Sequence, residues 1–438
     1  MQNINTGVLS GFVELLPQDQ ILFNKMKDII QQSYERFGFI PLDTPVIERS
    51  SILLAKAGGE TEKQIYRFNK GDEDLSLRFD LTVPLARYVS EHYGQLSFPF
   101  RRYHIGKVYR GERPQKGRFR EFYQCDIDII GDGSLDLIND AEILGVIYTT
   151  FKALNFGAFT IRINNRKILT GCCQEFGCAD KTTDVLRIVD KIEKIGVEAT
   201  KEELRTLSLS DDSIDKLITV FSLKGSFDAV EKQLSALAIK NDLFNQGLQD
   251  LAAVIRYLPQ FNMPNNAYQI DLSIARGLDY YTGTVYETSL EGYPELGSIC
   301  SGGRYDNLTE CYSDRKMPGV GISIGLTRLF SQLKTLELIK SQATTTTQLL
   351  VIPFVEDLTT PLNIATQLRE QGFNTEVYLE KTKIKKKLDY ANKLGIPYAI
   401  IVGEDEIKQG TVTLKNMLTG EQFNGSLLDV VKRLKHKE

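Results

Sequence analysis

Histidine is scarce in this chain, and cysteine is not much commoner. Three histidines (His92, His104 and His436) and six cysteines are spread over 438 residues. Cys172, Cys173 and Cys178 cluster, but no two cysteines stand in the C-x2-C spacing of a zinc ligand pair. They read as buried or loop thiols in a reducing compartment, and neither a disulfide scaffold nor a metal site is expected. No apolar run approaches the roughly 20 residues of a membrane-spanning helix. Met1 to Ser10 lack the basic cluster and apolar core of a secretory signal, so a cytoplasmic location is expected. Two nucleotide signatures are missing as well. There is no G-x4-G-K-[ST] phosphate loop, and Gly319, Gly321 and Gly325 miss the dinucleotide spacing by one residue.

What is present is the composition of a soluble globular protein, 42% hydrophobic and 25% charged. Its length calls for two or three domains. The net charge of −4 argues against a general coat for polyanions, but local patches matter more than totals. Between Arg101 and Arg120 stand eight Lys or Arg and one acid, Glu112. An ordinary solvated surface would mix the signs more evenly.

Pro17 to Phe37 has the apolar spacing of an amphipathic helix, stopped by Gly38. The proline-containing Phe39 to Glu48 suits an edge or interface strand. Leu75–Leu77, Phe98–Val108 and Glu121–Ile130 read as strands of an antiparallel sheet built from long hairpins. From about Asn165 to Asn265 the segments Val185–Ile195, Ile214–Phe221, Phe227–Ile239 and Leu243–Leu258 read as a helical insertion. Strand character returns at Ala267–Ile274, Thr284–Leu290 and the glycine-rich Gly319–Gly325. Ser341 to Gln348 is the linker candidate. Beyond it, strands and helices alternate as a separate α/β domain of about 90 residues.

Several segments carry chemistry. Arg276-Gly277-Leu278-Asp279-Tyr280-Tyr281-Thr282-Gly283 joins a cation to two aromatic hydroxyls between glycines that permit close backbone approach. This suits a pocket for a phosphate or carboxylate beside a small polar ligand. Tyr109 to Phe122 is a hairpin with a basic loop whose turn comes from Pro114 and Gly117. Strand alternation puts Arg110 and Glu112 on one face, with Phe122 on the returning strand. An arginine fork fits phosphate oxygens, and an aromatic ring offers a base a stacking surface. Arg78-Phe79-Asp80-Leu81-Thr82 ends a strand with a carboxylate and a hydroxyl placed to grip an ammonium, although Asp80 alone would also serve as a helix cap. Gln124, Asp126 and Asp128 alternate on one strand face, which is costly when buried without a polar ligand. Arg328 follows the glycine-rich strand at a strand-to-helix junction. Lys381 to Lys387 gathers five lysines in seven residues, either a solvated helix start or an RNA backbone contact.

Taken together these segments resemble the class II aminoacyl-tRNA synthetases, specifically the histidyl-tRNA synthetase family, over nearly the whole chain. Residues 17–48 resemble the first class II motif, Tyr109 to Asp128 the second and Gly319 to Leu329 the third. Arg276–Glu287 and Ser301-Gly302-Gly303-Arg304-Tyr305-Asp306 resemble peptides of the histidine enzymes. His104-Ile105-Gly106-Lys107 mimics half of a class I signature, but it lies inside a strand and lacks its lysine-serine partner. The resemblance implies an α+β fold: an antiparallel-sheet catalytic domain over 1–335 carrying a helical insertion at 166–265, a linker at 336–348, and an α/β anticodon-binding domain at 349–438.

The resemblance further implies histidine activation by ATP, with Mg²⁺ accompanying the nucleotide, then transfer to tRNA-His by a homodimer. Arg276 and Arg110 would be catalytic. Asp80, Leu81, Thr82, Arg110, Gln124, Asp128, Arg276, Tyr280, Tyr281 and Tyr305 would bind histidine, with Asp128 and Tyr281 reading the imidazole. Arg110, Glu112, Phe122 and Arg328 would bind ATP, and Arg113, Gln115, Lys116 and Arg118 would touch the tRNA acceptor end. No metal ligand among the side chains is expected. Asp80 and Asp128 stand where many bacterial relatives carry glutamate, which puts reach and geometry in question there. The alternative is a histidine-sensing paralogue that regulates ATP phosphoribosyltransferase. Such proteins tend to lose the arginine-tyrosine peptide or the terminal domain, both of which this chain keeps.

Overall fold

Apolar residues at helical spacing bury one stripe of the helix Pro17–Arg36: Met26, Ile30 and Tyr34 are all in the core. Tyr34 also donates its hydroxyl to the Cys125 carbonyl at 3.0 Å, which anchors the helix on the sheet. The computed structural model describes residues 4–55, 62–113, 117–275, 281–341 and 344–436. Its chain divides into two compact units, Met1–Glu14 with Met26–Ile339, and Leu15–Lys25 with Lys340–Glu438.

In the larger unit, β1 (Ile40–Pro41) is followed by a small sheet of β2 (Ile47–Arg49), β3 (Arg67–Lys70) and β4 (Glu73–Leu77). The helix Thr82–Glu91 then leads to a long hairpin, β5 (Phe100–Tyr109) and β6 (Glu121–Ile130). After the helix Ile138–Leu154 come β7 (Phe159–Asn165) and a run of helices. Within that run lies the two-residue β8 (Lys224–Gly225). The strands β9 (Tyr268–Asp271), β10 (Thr284–Leu290), β11 (Ser298–Tyr305) and β12 (Gly319–Gly325) complete the unit. The main sheet has nine strands among the described residues, ordered β1-β5-β6-β12-β11-β10-β7-β9-β8. Its centre is antiparallel, and only the pairs β1/β5 and β7/β9 are parallel. The antiparallel-sheet α+β architecture is therefore present.

Four of the helices between β7 and β9 start on side chains suited to it: Asn165, Ser210, Ser226 and Asn241 each accept a backbone N–H of the first turn. Two glycines let a pair of these helices, Arg166–Glu175 and Asp242–Tyr257, approach closely. A Cβ on Gly171 would lie 2.5 Å from the Phe244 nitrogen, and one on Gly247 would lie 2.7 Å from the Ile168 nitrogen. The segment is not purely helical, since β8 pairs with β9 and extends the main sheet. The clustered Cys172, Cys173 and Cys178 are free and buried here, and burial pushes the Cys172 thiol up to about 12.

The smaller unit holds β13 (Leu349–Phe354), β14 (Thr375–Val377), β15 (Tyr398–Gly403), β16 (Val412–Asn416) and β17 (Gln422–Gly425), ordered β14-β13-β15-β16-β17. Leu349, Val351, Ile400, Val402 and Leu414 pack with the helices Thr359–Glu370 and Leu427–Lys435 in its core. Leu15–Lys25 belongs to this unit rather than to the larger one, and Ser341 Oγ donates to Asp19 at 2.7 Å. Lys387 departs from the surface role expected of the lysine run. It is buried, donates Nζ to the Pro353 carbonyl at 2.9 Å and lies 5.5 Å from the Tyr378 ring centre. No helix among the described residues is long and apolar enough to cross a membrane.

A buried ion pair crosses the larger unit. Arg304 donates Nε and Nη2 to Asp140 at 3.1 and 2.5 Å, and its other donors reach the Leu135 and Asp136 carbonyls. Asp140→Ala would strand that guanidinium without its carboxylate. The expected loss is about 3–5 kcal/mol in urea unfolding followed by circular dichroism, and most of it should return when Asp140→Leu is combined with Arg304→Met.

Candidate active site

Register builds the site. Pairing of β5, β6 and β12 sets Arg102, Asp128 and Gly321 in one row across the sheet, and His104, Asp126 and Ser323 in the next. A third row is Gly106, Gln124 and Gly325. Because strand side chains alternate, all three rows share one face. The rows continue into β11 and β10 through Gly303 and Val285, and through Ser301 and Glu287. Above this floor lies a cleft of about 550 Å³.

Small residues beside the carboxylates make the cleft possible. A Cβ at Gly321 would lie 2.3 Å from both Asp128 Oδ1 and the Ile127 carbonyl oxygen. A Cβ at Gly303 would lie 2.5 Å from the Thr284 carbonyl oxygen and 3.0 Å from the Tyr281 ring. Gln124 is steered by its Nε2 donating to Ser323 Oγ at 2.6 Å.

One wall comes from the segment after β4. Asp80 Oδ1 accepts the Val83 N–H at 3.1 Å, so it caps the helix Thr82–Glu91 as a lone aspartate would. Its Oδ2 is buried with no hydrogen bond among the described residues. The same carboxylate is thus a cap on one side and an open acceptor on the other. Burial pushes Asp80 up to about 6 and Asp126 up to about 7, with the neighbouring arginines opposing the shift. Asp128 is also raised by burial, opposed by Arg102 and by the Tyr305 hydroxyl, which donates to Oδ1 at 2.6 Å.

Next to Asp80, Arg110 donates Nε to the Phe79 carbonyl at 3.0 Å, and its guanidinium carbon sits 5.2 Å from the Phe122 ring centre. Arg118 pairs with Glu112 at 3.1 Å. Two residues expected to serve different ligands are therefore bound to each other here. Arg328 donates Nη2 to the Leu296 carbonyl at 2.5 Å, and the adjacent Thr327 hydroxyl accepts the Tyr123 N–H at 2.9 Å.

The cleft brings together Asp80, Thr82, Arg110, Glu112, Arg118, Phe122, Gln124, Asp128, Tyr281, Tyr305 and Arg328. Leu81 does not line it. Its side chain is buried, and its carbonyl accepts from Arg102 Nη2 at 3.2 Å. Arg113 is exposed and is not among the lining residues. Gln115, Lys116, Arg276 and Tyr280 lie outside the described residues. Reasoning from sequence passed over Arg102, Glu287 and Ser323, and left Asp126 without a role. A signal existed for Arg102, which has the same strand parity as Arg110 and so the same face.

A model of the histidyl-tRNA synthetase family matches residues 11–329, and one of an anticodon binding domain matches residues 348–437. A histidine–tRNA ligase of Clostridium tetani is 60% identical over 99% of both chains. The chain belongs to the histidyl-tRNA synthetase family. One from Stenotrophomonas maltophilia is 46% identical, covering 95% of this chain and 94% of its own. The crystal structure of histidyl-tRNA synthetase from Nostoc sp. superposes with a TM-score of 0.91 at 40% identity, over 99% of this chain and 100% of that one. An ATP phosphoribosyltransferase regulatory subunit/histidyl-tRNA synthetase from Bacillus halodurans has a TM-score of 0.75 at 20% identity, covering 91% and 98%. That likeness reaches no further than the fold.

The raised carboxylates make stability depend on pH in a stated direction. Unfolded, an aspartate titrates near 3.8, and in the fold Asp80 titrates near 6. Its contribution to stability is fully present below the unfolded value and is lost as pH rises through the folded one. From pH 4 to 8, urea unfolding of the unliganded larger unit should lose roughly 3 kcal/mol more in wild type than in Asp80→Asn.

Proposed function

We propose that the chain joins L-histidine to tRNA-His in two steps, first histidine plus ATP to histidyl-adenylate and pyrophosphate, then transfer to the 3′ end of the tRNA. The observation that carries this reading is the mixed lining of the cleft. Acceptors that suit an ammonium and a ring N–H, on Asp80, Gln124 and Asp128, share it with Arg110, Arg328 and the Phe122 ring. Full-length relatives that bear the ligase name favour the enzyme over a histidine sensor.

Asp80, Thr82 and Gln124 hold the α-ammonium, and burial makes the pairing selective. An Asp80 carboxyl raised by burial to about 6 is mostly ionised at neutral pH, with Oδ2 open to accept from the ammonium. Asp128 and Tyr281 read the imidazole, with Tyr305 and Tyr280 shaping the pocket. Arg110 spans the histidine carboxylate and the α-phosphate, Phe122 and Glu112 receive the adenine, and Arg328 lies towards the γ-phosphate. Arg276 faces the α-phosphate as charge develops during in-line attack by the carboxylate oxygen. A cation already in position stabilises that charge without reorganising. Arg113, Gln115, Lys116 and Arg118 meet the tRNA acceptor end. For Arg118 this means leaving its pairing with Glu112.

Magnesium, which is to accompany ATP, meets a fitting donor set. Glu112 and Glu287 both bring carboxylate oxygens to the cleft, the ligand type that a hard cation takes together with substrate phosphates. These residues would hold the ion, which would neutralise charge on the phosphates. The protein acts in the cytoplasm, where its tRNA is. It works as a homodimer, a reading supported by the exposed apolar side chains of Ile40 on β1, at the edge of the main sheet, and of Val46 and Ile47 at β2, the edge of the small sheet.

Histidine-dependent ATP–pyrophosphate exchange tests the first step. Wild type should exchange with histidine alone and with no other amino acid. Arg276→Ala should lower kcat by about 100-fold or more, as when a donor to a developing oxyanion is removed. Histidine binding without exchange in wild type would defeat this reading in favour of a sensor.

A further inference from the structure

The largest fully buried side chain among the described residues is a cation that no step above uses. Arg102 is 0% exposed, on β5 directly across from Asp128 on β6. Its Nη2 lies 2.5 Å from Asp128 Oδ2 and also donates to the Leu81 carbonyl at 3.2 Å. Among the described residues its Nε and Nη1 make no hydrogen bond, and neither do Asp80 Oδ2 and Asp126 Oδ1. A buried guanidinium is retained only where carboxylates answer it, and here it is the positive charge that acts on all three, Asp80, Asp126 and Asp128.

The groups facing Arg102 come from every neighbouring element. Asp126 and Asp128 stand on β6, Asp80 on the segment before the helix Thr82–Glu91, and His104 on its own strand. Tyr305 reaches in from β11, and Tyr34 from the helix Pro17–Arg36. His104 is pushed down to about 3, by burial first and then by Arg102 and Arg78, so it is neutral and adds no competing positive charge beside Arg102 on that face of β5.

Resting on the reading of the cleft as a histidine site, we propose that Arg102 is a positioning residue for amino-acid specificity: it grips Asp128 from behind and keeps it an ionised, acceptor-only carboxylate facing the cleft. An ionised carboxylate can accept a ring N–H and can donate nothing. A protonated one can donate to a ring nitrogen and so admits the wrong hydrogen-bond pattern. Arg102 also ties the Leu81 carbonyl, next to Asp80, to the strand that carries Asp128. The ammonium end and the ring end of the pocket are thereby held at a fixed separation.

The test compares histidine with 3-(2-thiazolyl)-L-alanine, whose ring has a nitrogen acceptor and no N–H, in pyrophosphate exchange. Wild type should favour histidine by roughly a thousandfold or more in kcat/KM, as a site matched to a donor does. In Arg102→Leu the preference should fall to about tenfold or less, with KM for ATP changed by less than about threefold. The KM of that variant for histidine should improve more steeply than that of wild type as pH rises, because Asp128 then ionises as well as Asp80. Arg102→Lys, which keeps the charge, should keep the preference. An unchanged preference in Arg102→Leu, or a KM for ATP that rises in step with that for histidine, overturns the proposal. Should the leucine variant not fold, Arg102→Lys and Arg102→Gln decide: equal preference in the two refutes it, and loss in the glutamine variant alone supports it. Wild type without histidine-dependent exchange would refute the reading of the cleft itself, and the proposal with it, before any variant is compared.

Discussion

Carboxylates buried on the face of one strand are the constraint around which the larger unit is organised. Each would cost several kcal/mol if left without a counter-charge or donors. The sheet meets this cost by register. Arg102 stands across from Asp128 on one side and Gly321 on the other, so cation, carboxylate and empty space follow one another along a row. Arg78 closes the neighbouring end, donating to the Lys107 and Thr44 carbonyls and leaving no room for a side chain at Gly106. Asp80 Oδ2, Gln124 Oε1 and Asp126 Oδ1, on residues that line the cleft, keep no hydrogen bond among the described residues, and a ligand can complete them.

Much of this was legible in the sequence because it is written in short-range patterns. Period-2 alternation exposed the polar face of β6, and helical spacing marked the helix Pro17–Arg36 within a residue. The strand Thr284–Leu290 matches its expected limits. The helix Ile138–Leu154 escaped because it is apolar nearly all round: Ala141, Ile143, Leu144, Val146, Ile147 and Phe151 are all buried, and no amphipathic stripe stands out. The helix Thr82–Glu91 was hidden behind Asp80, whose role as cap was set against its role in the site although it has the geometry for both.

Other features were not legible because they depend on pairings across long sequence distances. Nothing local tells that Arg304 turns away from the cleft to Asp140, or that Arg118 and Glu112 lock together. The partner of Arg102, Asp128 on β6, lies 26 positions further along the chain, and only the hairpin register brings the two side by side. The resemblance to the family gave the fold and the substrates, but residue roles carried over from it say nothing about what stands behind each ligand-facing group.

The row of Arg102, Asp128 and Gly321 also bears on how such a chain can drift. Replacing the carboxylate strands a cation, replacing the cation leaves a carboxylate uncompensated, and adding a methyl at the glycine meets both an oxygen of Asp128 and the backbone of Ile127. Each position is fenced by the other two, so viable changes come as compensated sets. Lineages that diverge here should do so in steps of two or three coupled replacements, with few survivors at the intermediate sequences.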